Sequence, residues 1–173
     1  MTVAAPPQGV GRIGFIDIAA SGRGPDSFPA EIGWAVLGGS SGAMLVKPAP
    51  SWSHDAWDDS RADLHGIGWA TLQQHGQVVD IVAEQLNRVF GPSSVVFSDA
   101  VDWNRFWVER LFDEVASTRT FEVLDVWRGL SFLVSASTLK RTRANAASSN
   151  RQHRARADAE LLRRIWTEAL AAH

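Results

Sequence analysis

Two kinds of apolar run alternate along this chain. In "GRIGFIDIAA", Ile13, Phe15 and Ile16 lead without a break to Asp17, a pattern that predicts a strand buried on both faces near its end. "EIGWAVLGG" (31–39) and "GAMLVKP" (42–48) read as two further strands, with "GGSSG" as the hairpin turn between them. "RADLHGIGWATLQQHG" predicts short helical turns broken by Gly66, Gly68 and Gly76. In "QVVDIVAEQLNRVFG" the period changes. Val78, Val79, Val82, Leu86, Val89 and Phe90 recur at helical spacing, and Gly91-Pro92 end the run. "SSVVFSDA" predicts a strand, "WNRFWVERLFDEVA" a second amphipathic helix, "TFEVLDV" a strand and "WRGLSFLVSAS" a helix. Residues 135–152, rich in Ser, Asn, Ala and Arg, read as a mobile basic loop before a closing helix in "ARADAELLRRIWTEALAA". A hairpin followed by alternating helices and strands predicts an α/β domain with a mixed five-stranded sheet flanked by helices.

Composition narrows the chemistry. The 173 residues suffice for one domain spanning 1–173, with 1–10 expected as a flexible tail. There is no cysteine, so disulfides and thiolate metal sites are excluded; any metal must be held by carboxylates, histidines, carbonyls or water, which favours hard cations such as Mg2+ or Mn2+. The first residues, "MTVAAPPQGVGR", contain no signal-like apolar core, and no run is long enough to span a bilayer. A cytoplasmic protein with no membrane partner is expected. Net charge is −2, yet 126–157 holds seven basic residues and no acidic one, a segment suited either to a phosphate-facing surface or to a solvated loop.

Three places set polar residues at the ends of apolar elements. Asp17 ends the first strand; "SDAVDWN" carries Asp99, Asp102 and Asn104 into a helix; "HRARAD" places His153 five residues before Asp158. In an α/β sheet such positions gather at one edge. Histidine beside carboxylates that can hold a hard cation suggests metal-assisted hydrolysis of a phosphate ester.

Order and spacing of these segments resemble the DEDDh 3′–5′ exonucleases of the ribonuclease-H-like superfamily, the group of RNase T and the proofreading exonucleases. "FIDIAASG" is similar to their first motif, "PAEIGWAVL" to the strand after it, "LHGIGWATLQQHG" to the histidine-glycine segment, "VVFSDAVDWNRFWVERLF" to the second motif and "HRARAD" to the His-x4-Asp third motif. The resemblance implies a metal-dependent exonuclease acting on 3′ ends of single-stranded RNA or DNA. Asp17 and Asp158 would be metal ligands, His153 the general base, and Arg151, Arg154 and Arg156 phosphate contacts. It also leaves room for a homodimer.

Two positions depart from that pattern. Ala19 stands where the first motif has glutamate, and the second-motif aspartate falls on Asn104 or, in a competing register, on Asp102. Two cations about 4 Å apart need a matching set of carboxylates, and a methyl group offers none. Activity is therefore expected to be impaired. The alternative is an inactive domain of the same fold that binds nucleic acid or a protein partner; natural loss and introduced substitution are both open. Glu31 is a remote replacement, with a backbone-bonding role preferred. His65 reads as a structural histidine or, less simply, a substrate contact; His54 and His75 read as exposed. Trp103, Trp107 and Trp166 are expected in the core, while Trp52 and Trp57 would cover the sheet edge or stack on bases.

Overall fold

A computed structural model describes residues 11–172; the expected tail, 1–10, lies outside them. Five strands form one sheet in the order β3-β2-β1-β4-β5. These are β1 (Ile13–Ala20), β2 (Pro29–Val36), β3 (Ser41–Leu45), β4 (Ser94–Ser98) and β5 (Phe121–Asp125). β1 pairs antiparallel with β2 and parallel with β4; β2–β3 is antiparallel and β4–β5 parallel. The sheet is mixed, as the sequence pattern predicts.

The two-residue period of β1 sorts its side chains between the faces. Ile16, Ile18 and Ala20 join the core beneath helices α3 (Val79–Phe90) and α4 (Val101–Phe112). Phe15 faces the opposite way, into a cluster with Phe97, Leu162 and Trp166 of the closing helix α7 (Ala155–Ala171). Trp166 is buried and stacks on Phe97 with ring centroids 4.5 Å apart. Burial of each such side chain is worth about 1.5–3 kcal/mol, so the two clusters clamp the sheet from both sides. Gly33 sets how closely α7 approaches. A Cβ there would lie 2.0 Å from the Ala155 carbonyl carbon, so only glycine lets the helix start rest against β2.

The central segment differs from expectation. Short helices α1 (Asp59–His65) and α2 (Trp69–His75) form as predicted, with Gly66 closing α1 at φ 69°. The basic segment expected as a loop over 135–152 instead contains a twelve-residue helix, α6 (Ala136–Ala147). Ser135 caps it, its side chain accepting the Thr138 N–H at 3.2 Å. Ala, Leu, Lys and Arg favour helix, but only Thr138 and Ala146 are buried, so no apolar stripe announces it. The preceding helix, α5 (Val126–Ser131), stops correspondingly early.

Candidate active site

At the carboxyl end of β1 the strand register shifts between Ala19 and Ala20, bending the edge where polar residues collect. A pocket of about 250 Å³ opens there. Asp17 comes from β1, Asn104 from the first turn of α4, and His153 and Asp158 from the start of α7. Ala19 and His65 complete this wall. Residues more than a hundred positions apart thus meet because the carboxyl ends of β1 and β4 and the amino end of α7 come together at one place.

Asn104 is buried and donates from Nδ2 to Ser98 Oγ at 2.7 Å and to Asp17 Oδ1 at 3.4 Å. Its Oδ1 has no hydrogen-bond partner among the described residues. Burial, and then the nearby negative charges of Asp158 and Asp99, hold the Asp17 carboxyl up to about 7, with Asn104 and Arg151 offsetting part of the rise. Asp158 is likewise raised, first by burial, with Arg151 and His153 opposing. His153 occupies the left-handed region at φ 52°, unusual for a residue with a side chain, immediately before α7. His65 is buried, and its Nδ1 accepts the Ile67 N–H at 3.2 Å, the structural hydrogen bond expected of it. Burial also holds its imidazole below the ordinary range.

Asp102 is exposed on α4 and does not line the pocket; of the two registers, Asn104 is the one whose side chain enters. Arg151, Arg154 and Arg156, expected to face phosphate, all make ion pairs within the chain. Arg151 Nη2 bonds Asp99 Oδ2. Arg154 grips Glu31 with two bonds, Nη2–Oε1 at 2.6 Å and Nε–Oε2 at 3.1 Å. Arg156 pairs with Glu160 at 3.0 Å across one helical turn. Glu31 lies directly opposite Ala19 in the strand register but does not fill its place. Its buried carboxylate also accepts the Ala155 N–H at 2.9 Å and so caps the start of α7, which has no side-chain cap of its own.

Three pocket residues were not singled out from sequence for such a role. Trp103, read as core, lines the pocket while stacking at 5.4 Å on buried Trp107. Arg23 and Arg61 also line it. Neither arginine falls in a motif or a basic run, so nothing in the local pattern marks them. Trp52 is buried and stacked on Phe28 at 5.1 Å, a packing role.

The oxygen donors set what a cation would find. Asp17 and Asp158 bring two carboxylates, and the orphaned Asn104 Oδ1 is a buried oxygen suited to a hard cation. Ala19 contributes nothing, and among the described residues no three or more His, Asp or Glu side chains are grouped to hold a metal ion. Two carboxylates and one amide oxygen are fewer donors than a pair of divalent cations needs.

No protein-family model and no curated protein matches this chain. Solved structures do. Escherichia coli exonuclease I in complex with a dA16 oligonucleotide matches with TM-score 0.64 and 16% identity over 94% of this chain and 41% of that one. The zinc-ion-bound form of the E. coli exonuclease I–single-stranded DNA complex gives 0.63 and 15% over 95% and 40%. An apo exonuclease I gives 0.66 and 15% over 96% and 43%. The chain spans less than half the length of these proteins. Among the described residues no helix is long and apolar enough to cross a membrane. In its five-stranded mixed sheet and flanking helices, this chain has the ribonuclease-H-like α/β fold seen in exonuclease I.

Proposed function

We propose that the pocket receives the 3′ end of a single strand of nucleic acid and that the chain acts on it as a 3′–5′ exonuclease whose hydrolysis is weakened by Ala19 and Asn104. The observation that carries this reading is the meeting of Asp17, Asn104, His153 and Asp158 in one pocket at the sheet edge. The oligonucleotide complexes of the structurally similar exonuclease I support a single-stranded substrate, with DNA the first to try.

Asp17, Asp158 and Asn104 Oδ1 would hold one Mg2+ or Mn2+ ion. When bound, such an ion supplies charge stabilisation at the phosphate and makes a bound water more acidic. His153, exposed beside Asp158, is the group available to take a proton from an attacking water. The Asn104 amide holds Asp17 in place but brings one negative charge fewer than aspartate would. Ala19 leaves a gap where a further carboxylate is needed. Both lower cation affinity, and with it turnover.

One observation favours a second reading, binding without hydrolysis. Arg151 already places a cation among Asp99, Asp17 and Asp158, offsetting the charge that a metal would otherwise answer.

The test is degradation of 5′-labelled single-stranded DNA and RNA with Mg2+ or Mn2+, using this chain, Ala19→Glu, and Ala19→Glu with Asn104→Asp. The expected result is slow shortening from the 3′ end that accelerates at least tenfold in the double variant. Tight binding with no shortening by any of the three would establish the second reading. Neither binding nor shortening would overturn both.

A further inference from the structure

The arginines beside this pocket fall into two sets. Those of 151–156 are neutralised: Arg151 by Asp99, Arg154 by Glu31 and Arg156 by Glu160. Arg23 and Arg61 line the pocket itself, and among the described residues neither guanidinium makes an ion pair or hydrogen bond. Among the described residues no carboxylate forms an ion pair with either, although the Ser60 hydrogen bonds, and after them the charge of Arg61, help hold the Asp58 carboxyl below its usual range. Asp58 spends its carboxylate on the Ser60 N–H at 2.9 Å and the Ser60 hydroxyl at 2.6 Å. Asp26 and Asp55, which share an adjoining cavity with Arg23, do not pair with it.

The two arginines are also held near each other. The Asp58 N–H donates to the Ser21 carbonyl at 2.8 Å, tying the start of α1 to the end of β1. Arg23 follows Ser21 by two residues, and Arg61 follows Asp58 by three. One pocket therefore has an acidic wall of Asp17 and Asp158 and, facing the same space, two uncommitted cations. A phosphodiester is repelled by the first and attracted by the second, and a guanidinium fork matches its paired oxygens.

We propose that Arg23 and Arg61 bind backbone phosphates of the single strand upstream of its terminal linkage, so that the flanking anionic backbone lies on the arginine side while the terminal phosphodiester and 3′ hydroxyl enter beside Asp17 and Asp158, where a bound cation would offset the repulsion. This assigns the phosphate grip to residues outside the basic segment. It rests on the reading of the pocket as a single-strand site.

The experiment is fluorescence anisotropy with a labelled single-stranded DNA, in calcium to hold back hydrolysis, over a series of salt concentrations. Arg23→Gln with Arg61→Gln should weaken binding at least tenfold at low salt. It should also reduce the slope of log affinity against log salt by about 1.4, since each single-strand phosphate that is no longer neutralised removes about 0.7. Arg156→Gln should leave both unchanged. Arg61→Lys keeps a charge and should retain most of the slope. Should the double variant fold poorly, Arg23→Gln alone, on an exposed loop, must still lower the slope by about 0.7. If the unaltered chain binds and the arginine variants keep its affinity and slope, the phosphate assignment is wrong while the pocket reading stands. If the unaltered chain binds no strand, both are wrong.

Discussion

The segment 151–156 and the rim formed by Arg23 and Arg61 make an instructive pair. The first is the most basic stretch beside the site and the second is barely noticeable in sequence, yet their electrostatic roles are reversed. Arg151, Arg154 and Arg156 are each matched to a carboxylate, two of them contributed by distant elements. Among the described residues Arg23 and Arg61 have none, and both line the pocket. A cation is available to a ligand only to the extent that the fold leaves it unanswered. Charge density along a chain does not measure that.

The contrast is sharpest at Arg154. If it is structural, Arg154→Ala strips the bidentate partner from a carboxylate that is 4% exposed and caps α7. The cost should be about 2 kcal/mol, below that of a fully buried pair because Arg154 is half exposed, which lowers the Tm by about 4–8 °C. The salt dependence of strand binding should stay as it was. Unchanged melting with a reduced salt slope would move Arg154 into the phosphate-binding set and erase the distinction.

Asp17 tests the acidic side. Its carboxyl is raised from 3.8 to about 7, chiefly by burial and then by Asp158 and Asp99. The folded chain therefore keeps a proton that the unfolded chain releases near 3.8. That contribution to stability is complete below about pH 4 and is lost as the pH rises through about 7. Asp17→Asn removes this residue's share of the pH dependence, Asp158 keeping its own. Its Tm should exceed that of the unaltered chain by about 3–6 °C at pH 8, with the gain shrinking toward pH 4. A gain of equal size at both pH values would show that the acidic wall is not under charge strain.

Arg156 gives the smallest effect. Its pair with Glu160 is exposed and spans one helical turn, so Arg156→Ala should cost about 0.3–0.5 kcal/mol and shift Tm by less than about 2 °C, measured by thermal denaturation. A larger loss would mean that Glu160, which also accepts from Ser41, anchors α7 to β3.

Much of the frame could be read from periodicity. The apolar run of β1 and the helical spacing of Val79, Val82, Leu86 and Phe90 depend only on neighbours in the chain, and those elements form where expected. Helix α6 was hidden because its stability comes from propensity and the Ser135 cap rather than from an apolar face. Asp17, His153 and Asp158 stood out because each lies beside an apolar run, although β1 does not end at Asp17 as expected but continues to Ala20. Ala19 stood out only as a departure from the motif that the sequence resembles, which periodicity does not show.

What tertiary structure alone decided is which side chains face one another. It brought Asn104 into the pocket and left Asp102 in solvent, a choice of helix face that depends on how α4 packs on the sheet. It matched Arg154 to Glu31 across 123 residues and, among the described residues, left Arg23 and Arg61 without an ion pair. Local pattern follows from the backbone's own repeat, whereas the pairing of charges depends on distances that exist only once β1, β2 and α7 are assembled.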